Sequence, residues 1–151
     1  MSTDIATDPQ AHQLVVFTLG AEEYGVPIKL VQEIIRYTEP RPIPGSPHGV
    51  EGVINLRGRI IPVVDLRSRF SSMGERAEDS KIVIVELEET TVGVIVDEVK
   101  EVLSVAADQC EAPPEGAGDA EYLDAVAKLD GRLLVILNMP KLFGANAGLM
   151  Y

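Results

Sequence analysis

The strongest candidate nucleophile in the 151-residue chain is its one cysteine, Cys110. Asp108, Glu111 and Glu115 crowd it in sequence, and nearby carboxylates raise a thiol's pKa and blunt its reactivity. The two histidines, His12 and His48, stand in no nucleophile pattern with Cys110 or with a serine. One cysteine and two distant histidines do not make a zinc site. The acids Glu86, Glu88 and Glu89 lack the spaced oxygen ligands and the glycine of a calcium loop, and read as a solvated turn. Gly49, Gly52 and Gly58 do not form the glycine pattern of a phosphate-binding turn. Arg57, Arg59, Arg67 and Arg69 cluster around one short stretch, but between Pro40 and Arg69 there is no aromatic residue on which a base could stack. Catalysis, metal or cofactor binding and nucleic-acid reading thus lack their residues, which leaves recognition of other proteins.

Composition agrees. The net charge of −11 argues against loose binding to nucleic acid or to an anionic membrane. The charge is uneven: residues 29–81 hold nine Lys/Arg and seven Asp/Glu (net +2), and the rest holds four and seventeen (net −13). One face is therefore expected to be near neutral and arginine-bearing; the plainer reading is that the acids only keep the protein soluble. Met1–Gln13 is polar and lacks the basic start and apolar stretch of a signal peptide. No apolar run approaches the roughly 20 residues of a membrane span, and a lone cysteine fits a reducing cytoplasm. There is no Trp, so the core must be aliphatic.

The elements that would position a binding surface come in duplicate. At an offset of 68, Leu19, Gly25 and Val26 match Leu87, Gly93 and Val94, and Val31, Glu33 and Ile34 match Val99, Glu101 and Val102. At an offset of 73, Leu56, Gly58, Arg59 and Phe70 match Leu129, Gly131, Arg132 and Phe143. The offset grows by 73 − 68 = 5, which places a longer connector in the second copy, at Asp108–Asp119.

Each copy predicts the same order. A first strand (Leu14–Leu19 or Ile82–Leu87) and an acidic turn lead to a strand holding Gly25 or Gly93. Then comes V-x-E-[IV], readable as a strand end or as one helical turn. A hairpin follows, turning at Arg57-Gly58 or Asp130-Gly131, where Asp-Gly is the stronger signal because both central residues of a type I′ turn need positive φ. A short segment closes the copy, with Pro140 suited to a first helical turn. Short strands, tight turns and little helix indicate an all-β barrel or sandwich. Some sixty residues per copy are too few for a large core, so the copies should pack their apolar faces together and leave a groove between lobes.

The string Gly52–Arg67, G-V-I-N-L-R-G-R-I-I-P-V-V-D-L-R, resembles the signature hairpin of the CheW-like family of bacterial chemotaxis coupling proteins. Val16–Ile28 with Val31–Ile34 resembles the start of that domain, and Val92–Leu103 with Leu133–Asn138 its second half. The resemblance covers about residues 13–145. It implies two SH3-like five-stranded β-barrels packed together, no enzymatic activity and no cofactor. The implied role is to join the cytoplasmic tip of a methyl-accepting chemoreceptor to the regulatory domain of the histidine kinase CheA, in the cytoplasm at membrane-associated receptor arrays, with no nucleic acid bound and no membrane insertion. Subdomains at about 13–80 and 81–145 are expected, with strands open to exchange between them, flanked by tails at 1–12 and 146–151.

Site residues follow. Val31, Ile34, Val99 and Val102 occupy equivalent places and are expected either to line the inter-lobe groove, receiving the receptor's helical hairpin with Glu33 beside them, or to be plain core between lobes. The family implies an ion pair between positions like Glu33 and Arg57 that supports coupling; the alternative is an ordinary surface pair worth about 0–1 kcal/mol. The stretch Gly52, Val53, Ile54, Asn55, Arg57 and Gly58 is the expected kinase-binding or coupling surface. Gly52 and Gly58 would act as backbone devices, and one of Val53 and Ile54 should face outward. The same fold serving a non-flagellar array, and a small-ligand-binding or enzymatic β-barrel, are the competing readings; the latter needs convergent polar groups in a pocket.

Overall fold

The computed structural model describes residues 13–45, 50–66, 80–88, 90–112 and 123–140. Alternating aliphatic runs between tight turns give eleven strands: β1 (Gln13–Leu19), β2 (Glu22–Pro27), β3 (Val31–Arg36), β4 (Val50–Leu56), β5 (Arg59–Asp65), β6 (Lys81–Leu87), β7 (Thr90–Val96), β8 (Glu98–Ser104), β9 (Cys110–Glu111), β10 (Leu123–Leu129) and β11 (Arg132–Leu137). Both V-x-E-[IV] segments are strands, β3 and β8; in the first copy a single 3₁₀ turn, Ile28–Leu30, leads into it. Met139 and Pro140 are helical, while Arg67–Phe70, most of the acidic connector and Phe143 lie outside the described residues.

The fold is all-β: two SH3-like barrels built from the internal repeat. One sheet runs β3-β6-β7-β5-β4 and the other β8-β1-β2-β11-β10-β9. The repeat makes β3 the counterpart of β8, β6–β7 of β1–β2, and β4–β5 of β10–β11, so the first five strands of each order coincide. Each barrel therefore contains the first hairpin of the other copy: β1–β2 sits among β8, β10 and β11, and β6–β7 among β3, β4 and β5. Parallel pairings seal each guest hairpin, β2 against β11 and β7 against β5. The short β9, pairing with Val126 and Ala127, lies near the start of the longer connector; its counterpart in the first barrel is the single bridge between Arg41 and Val53.

Exchange explains the aliphatic density of the guest strands, because both of their faces are covered. On β1, Leu14 and Val16 point into one barrel with Ala127, Leu134 and Ile136. The alternate residues Val15, Phe17 and Leu19 join Tyr24, Val26, Val83, Val85, Val92, Val94 and Val96 in a cluster shared between the sheets. On β6, Ile82 and Ile84 fill the other barrel with Ile54, Ile61, Val63 and Ile95. The repeated glycines make room inside these barrels. A methyl on Gly93 would lie 2.9 Å from an Ile82 methyl, and one on Gly25 would touch Leu14 and Leu134 at 3.4–3.5 Å. Host strands β3 and β8 alternate half-buried and exposed positions or lie mostly exposed, so they present side chains to solvent.

Candidate protein-binding site

The β4–β5 turn is the sharpest feature of the surface. Leu56 pairs with Arg59, leaving Arg57 and Gly58 as a two-residue loop with φ of 51° and 88°. Both central residues thus take the positive φ of a type I′ turn, whose twist matches that of the flanking strands. Among the described residues Arg57 is the one non-glycine residue at positive φ. The Asp130-Gly131 turn, the stronger signal in the sequence, places only Gly131 there (φ 73°). Asn55 steadies the first turn: its Oδ1 accepts a hydrogen bond from the Gly58 N–H at 2.9 Å.

From that turn the Arg57 guanidinium donates to the Glu33 carboxylate on β3. β3 and β4 are the two ends of their sheet, so the pair spans the barrel's seam. Arg57 stays 69% exposed and Glu33 27%. The same barrel also leaves two apolar residues open to solvent, Ile34 of β3 at 39% and Ile60 of β5 at 64%. Val31, displaced by a register slip between Val31 and Glu33, packs instead on the shared cluster.

The second barrel repeats the plan with different parts. Glu101 on β8, the counterpart of Glu33, accepts from Arg132 on β11 at 3.0 Å; Arg132 also bonds Glu23 of β2 at 2.8 Å. The two carboxylates, Glu23 first, raise the already high pKa of this guanidinium. Val102 and Leu133, counterparts of Ile34 and Ile60, are 53% and 64% exposed, while Val99 packs on the shared cluster as Val31 does. Four of the five large hydrophobic residues exposed among the described residues therefore fall into two repeat-equivalent pairs. Ile60, Leu133 and Arg132 escaped the sequence reading, although the match of Arg59 to Arg132 and of Glu33 to Glu101 carried the signal. Arg59 itself bonds the Thr91 hydroxyl at 2.9 Å, where its counterpart bonds Glu23.

The hairpin needs one correction. Ile54 cannot belong to a contact surface, because its side chain points into the barrel beside Ile61 and Val63 at 6% exposure. Alternation along β4 gives the outward position to Val53, which is half-buried. Val53 exchanges both backbone hydrogen bonds with Arg41, at 2.8 and 3.0 Å. Gly52 permits that approach: its φ is 153°, and a Cβ there would lie 2.3 Å from the Arg41 carbonyl oxygen.

Cys110 is half-buried on β9, its Sγ 3.8 Å from the Ala106 carbonyl oxygen. Burial pushes its pKa up first, then Asp124 of the facing β10 and Asp108; Asp124 was not among the acids the sequence placed near it. With less thiolate present at neutral pH, Cys110 should react with iodoacetamide at pH 7.5 several-fold more slowly than free glutathione and accelerate above pH 9. Equal rates at pH 7.5 would show the thiol to be unperturbed. His12, His48, Arg67, Arg69, Glu89 and Glu115 lie outside the described residues. A shallow open depression of about 410 Å³ adjoins Arg59 and Thr91, walled by Glu86, Glu88 and Thr90. Among the described residues no three His, Cys, Asp or Glu side chains stand together to hold a metal, and no helix is long and apolar enough to cross a membrane.

Paired barrels that expose apolar residues and carry arginine–glutamate pairs define a protein-recognition scaffold. Residues 13–147 match the model of the CheW-like domain, and the chain belongs to that family. It is 38% identical to the chemotaxis protein CheW of Klebsiella aerogenes, over 94% of this chain and 87% of that one. It is 36% identical to the chemotaxis protein CheW of Treponema pallidum, over 94% and 88%. The crystal structure of the scaffolding protein TtCheW from Thermoanaerobacter tengcongensis superposes with a TM-score of 0.80 at 38% identity, covering 85% of this chain and 89% of that one. The chain is a chemotaxis scaffold of this family and not an enzyme.

Proposed function

We propose that the chain is the adaptor that joins the cytoplasmic tip of a methyl-accepting chemoreceptor to the regulatory domain of CheA, recruited from the cytoplasm to membrane-associated arrays. The observation that carries this reading is the exposed Arg57–Glu33 pair across the seam of the first barrel, which also leaves Ile34 and Ile60 open to solvent. Such a barrel surface offers a partner apolar contacts and a guanidinium held in place. The receptor's helical hairpin would take Ile34 and Val102, with Val31 and Val99 behind them as a partly buried floor. The kinase domain would meet the hairpin through Val53 and Arg57, with Gly52, Asn55 and Gly58 shaping its backbone.

The test is a pull-down of the purified chain with a CheA regulatory domain and, separately, with a chemoreceptor cytoplasmic fragment. Wild type should bind both. Arg57→Glu should weaken at least one by roughly tenfold, as expected for loss of an interfacial charge. Glu33→Arg should do the same, and the doubly reversed chain should recover part of the loss. Binding of wild type to neither partner would sink the reading, and no recovery in the double variant would remove the pair from the coupling role.

A further inference from the structure

The two copies of the repeat tether the same glutamate in two ways, and the difference isolates the part played by Asn55. In the second barrel the arginine that reaches Glu101 is Arg132, a strand residue. There the turn needs nothing special: the counterpart of Asn55 is Lys128, whose ammonium pairs with Glu111, and the counterpart of Arg57 is Asp130, which does not take positive φ. In the first barrel the arginine comes from the turn itself. A side chain leaving the backbone at φ 51° starts in a direction that residues at negative φ do not offer, and left-handed backbone at a residue other than Gly, Asn or Asp costs of order 1 kcal/mol. The hydrogen bond from the Gly58 N–H to Asn55 Oδ1 closes the turn in that conformation.

We infer that Asn55 is a positioning residue: through its bond to the Gly58 N–H it holds Arg57 in the left-handed region, so that the guanidinium is returned across the seam to Glu33. Asn55 thereby acts on coupling through Arg57 and not by touching a partner. Its side chain is exposed and already engaged with the turn. Any effect on partner binding rests on the function proposed above; the positioning itself does not.

Three variants and two readouts separate these. Glu33→Gln gives the NMR position of the Arg57 guanidinium Nε–H signal when its charged acceptor is gone. Asn55→Ala removes the acceptor of the turn, and Asn55→Asp keeps one of the same shape. Asn55→Ala should move the Arg57 signal to or near the Glu33→Gln position and speed exchange of the Gly58 amide roughly fivefold, the size expected for one net hydrogen bond. Asn55→Asp should resemble wild type in both. Because Asn55 is exposed, amide signals of the barrel interiors should stay in place and certify the fold. An Arg57 signal unmoved by Asn55→Ala, or equal behaviour of the alanine and aspartate variants, would overturn the inference. If the signal moves as expected while wild type binds neither partner in the pull-down, the positioning stands and the adaptor reading falls.

Discussion

Replacing Phe17 with alanine should destabilise the chain by about 4 kcal/mol, the usual cost of emptying a large aromatic site in a packed core. Phe17 is completely buried, and its ring lies 6.2 Å from that of Tyr24 in the cluster between the two sheets. Its neighbours there include Val83, Val85, Val92 and Val94, contributed by the other barrel. The cavity would open where the sheets meet, so the loss should be felt by both. A chain of this size has about 5–15 kcal/mol to lose, and the variant should unfold at much lower urea. Urea titrations followed by far-UV circular dichroism, which sees all strands, and by fluorescence of the chain's four tyrosines, which sees local packing, should show one coincident transition. Two separated transitions would mean that the shared cluster does not make the barrels one cooperative unit.

Alanine at position 52 should cost about 3 kcal/mol, far more than alanine at position 58. Both glycines have positive φ, and that part of the penalty is of order 1 kcal/mol in each. They differ in what a side chain would meet. At Gly58 no atom lies within 4 Å of the added carbon, whereas at Gly52 it would lie 2.3 Å from the carbonyl oxygen and 2.6 Å from the carbonyl carbon of Arg41. Those are backbone atoms held by two hydrogen bonds to Val53, so they cannot swing aside as a side-chain end would. Relief requires breaking the Arg41–Val53 bridge. Urea midpoints of Gly52→Ala and Gly58→Ala measured side by side test this, and equal losses would show that φ alone decides both.

Much of this was legible in the sequence. Short continuous aliphatic runs bounded by turn residues define β1, β6 and β7, and the offsets of 68 and 73 define the duplication, because an apolar run and a repeat's spacing are local properties of the chain. The Glu33–Arg57 contact came from a family resemblance. What no local pattern could supply were the consequences of distant chain segments arriving at one place. Nothing around Arg41 or Gly52 announces that one will lie against the other. Asp130-Gly131 carries the better turn dipeptide, yet Arg57-Gly58 takes the left-handed geometry, because an asparagine two positions earlier and a glutamate on another strand hold it there. The inward aim of Ile54 depends on alternation through a strand that slips register between Val50 and Gly52.

The crossing of hairpins between barrels also bears on how the chain emerges from the ribosome. β1 and β2 are made first and pair with each other, but their remaining partners are β8 and β11, the latter ending at Leu137. The strands of the other barrel are all present once Val96 has been made. Vectorial synthesis thus completes the second-encoded hairpin's barrel first, and leaves the earliest hairpin waiting for β8, β10 and β11 to cover the face that carries Leu14 and Val16. Such an exposed, strongly strand-forming pair is what chaperones and aggregation compete for, so the order of translation, which the finished molecule conceals, sets its most vulnerable moment at the amino-terminal strands.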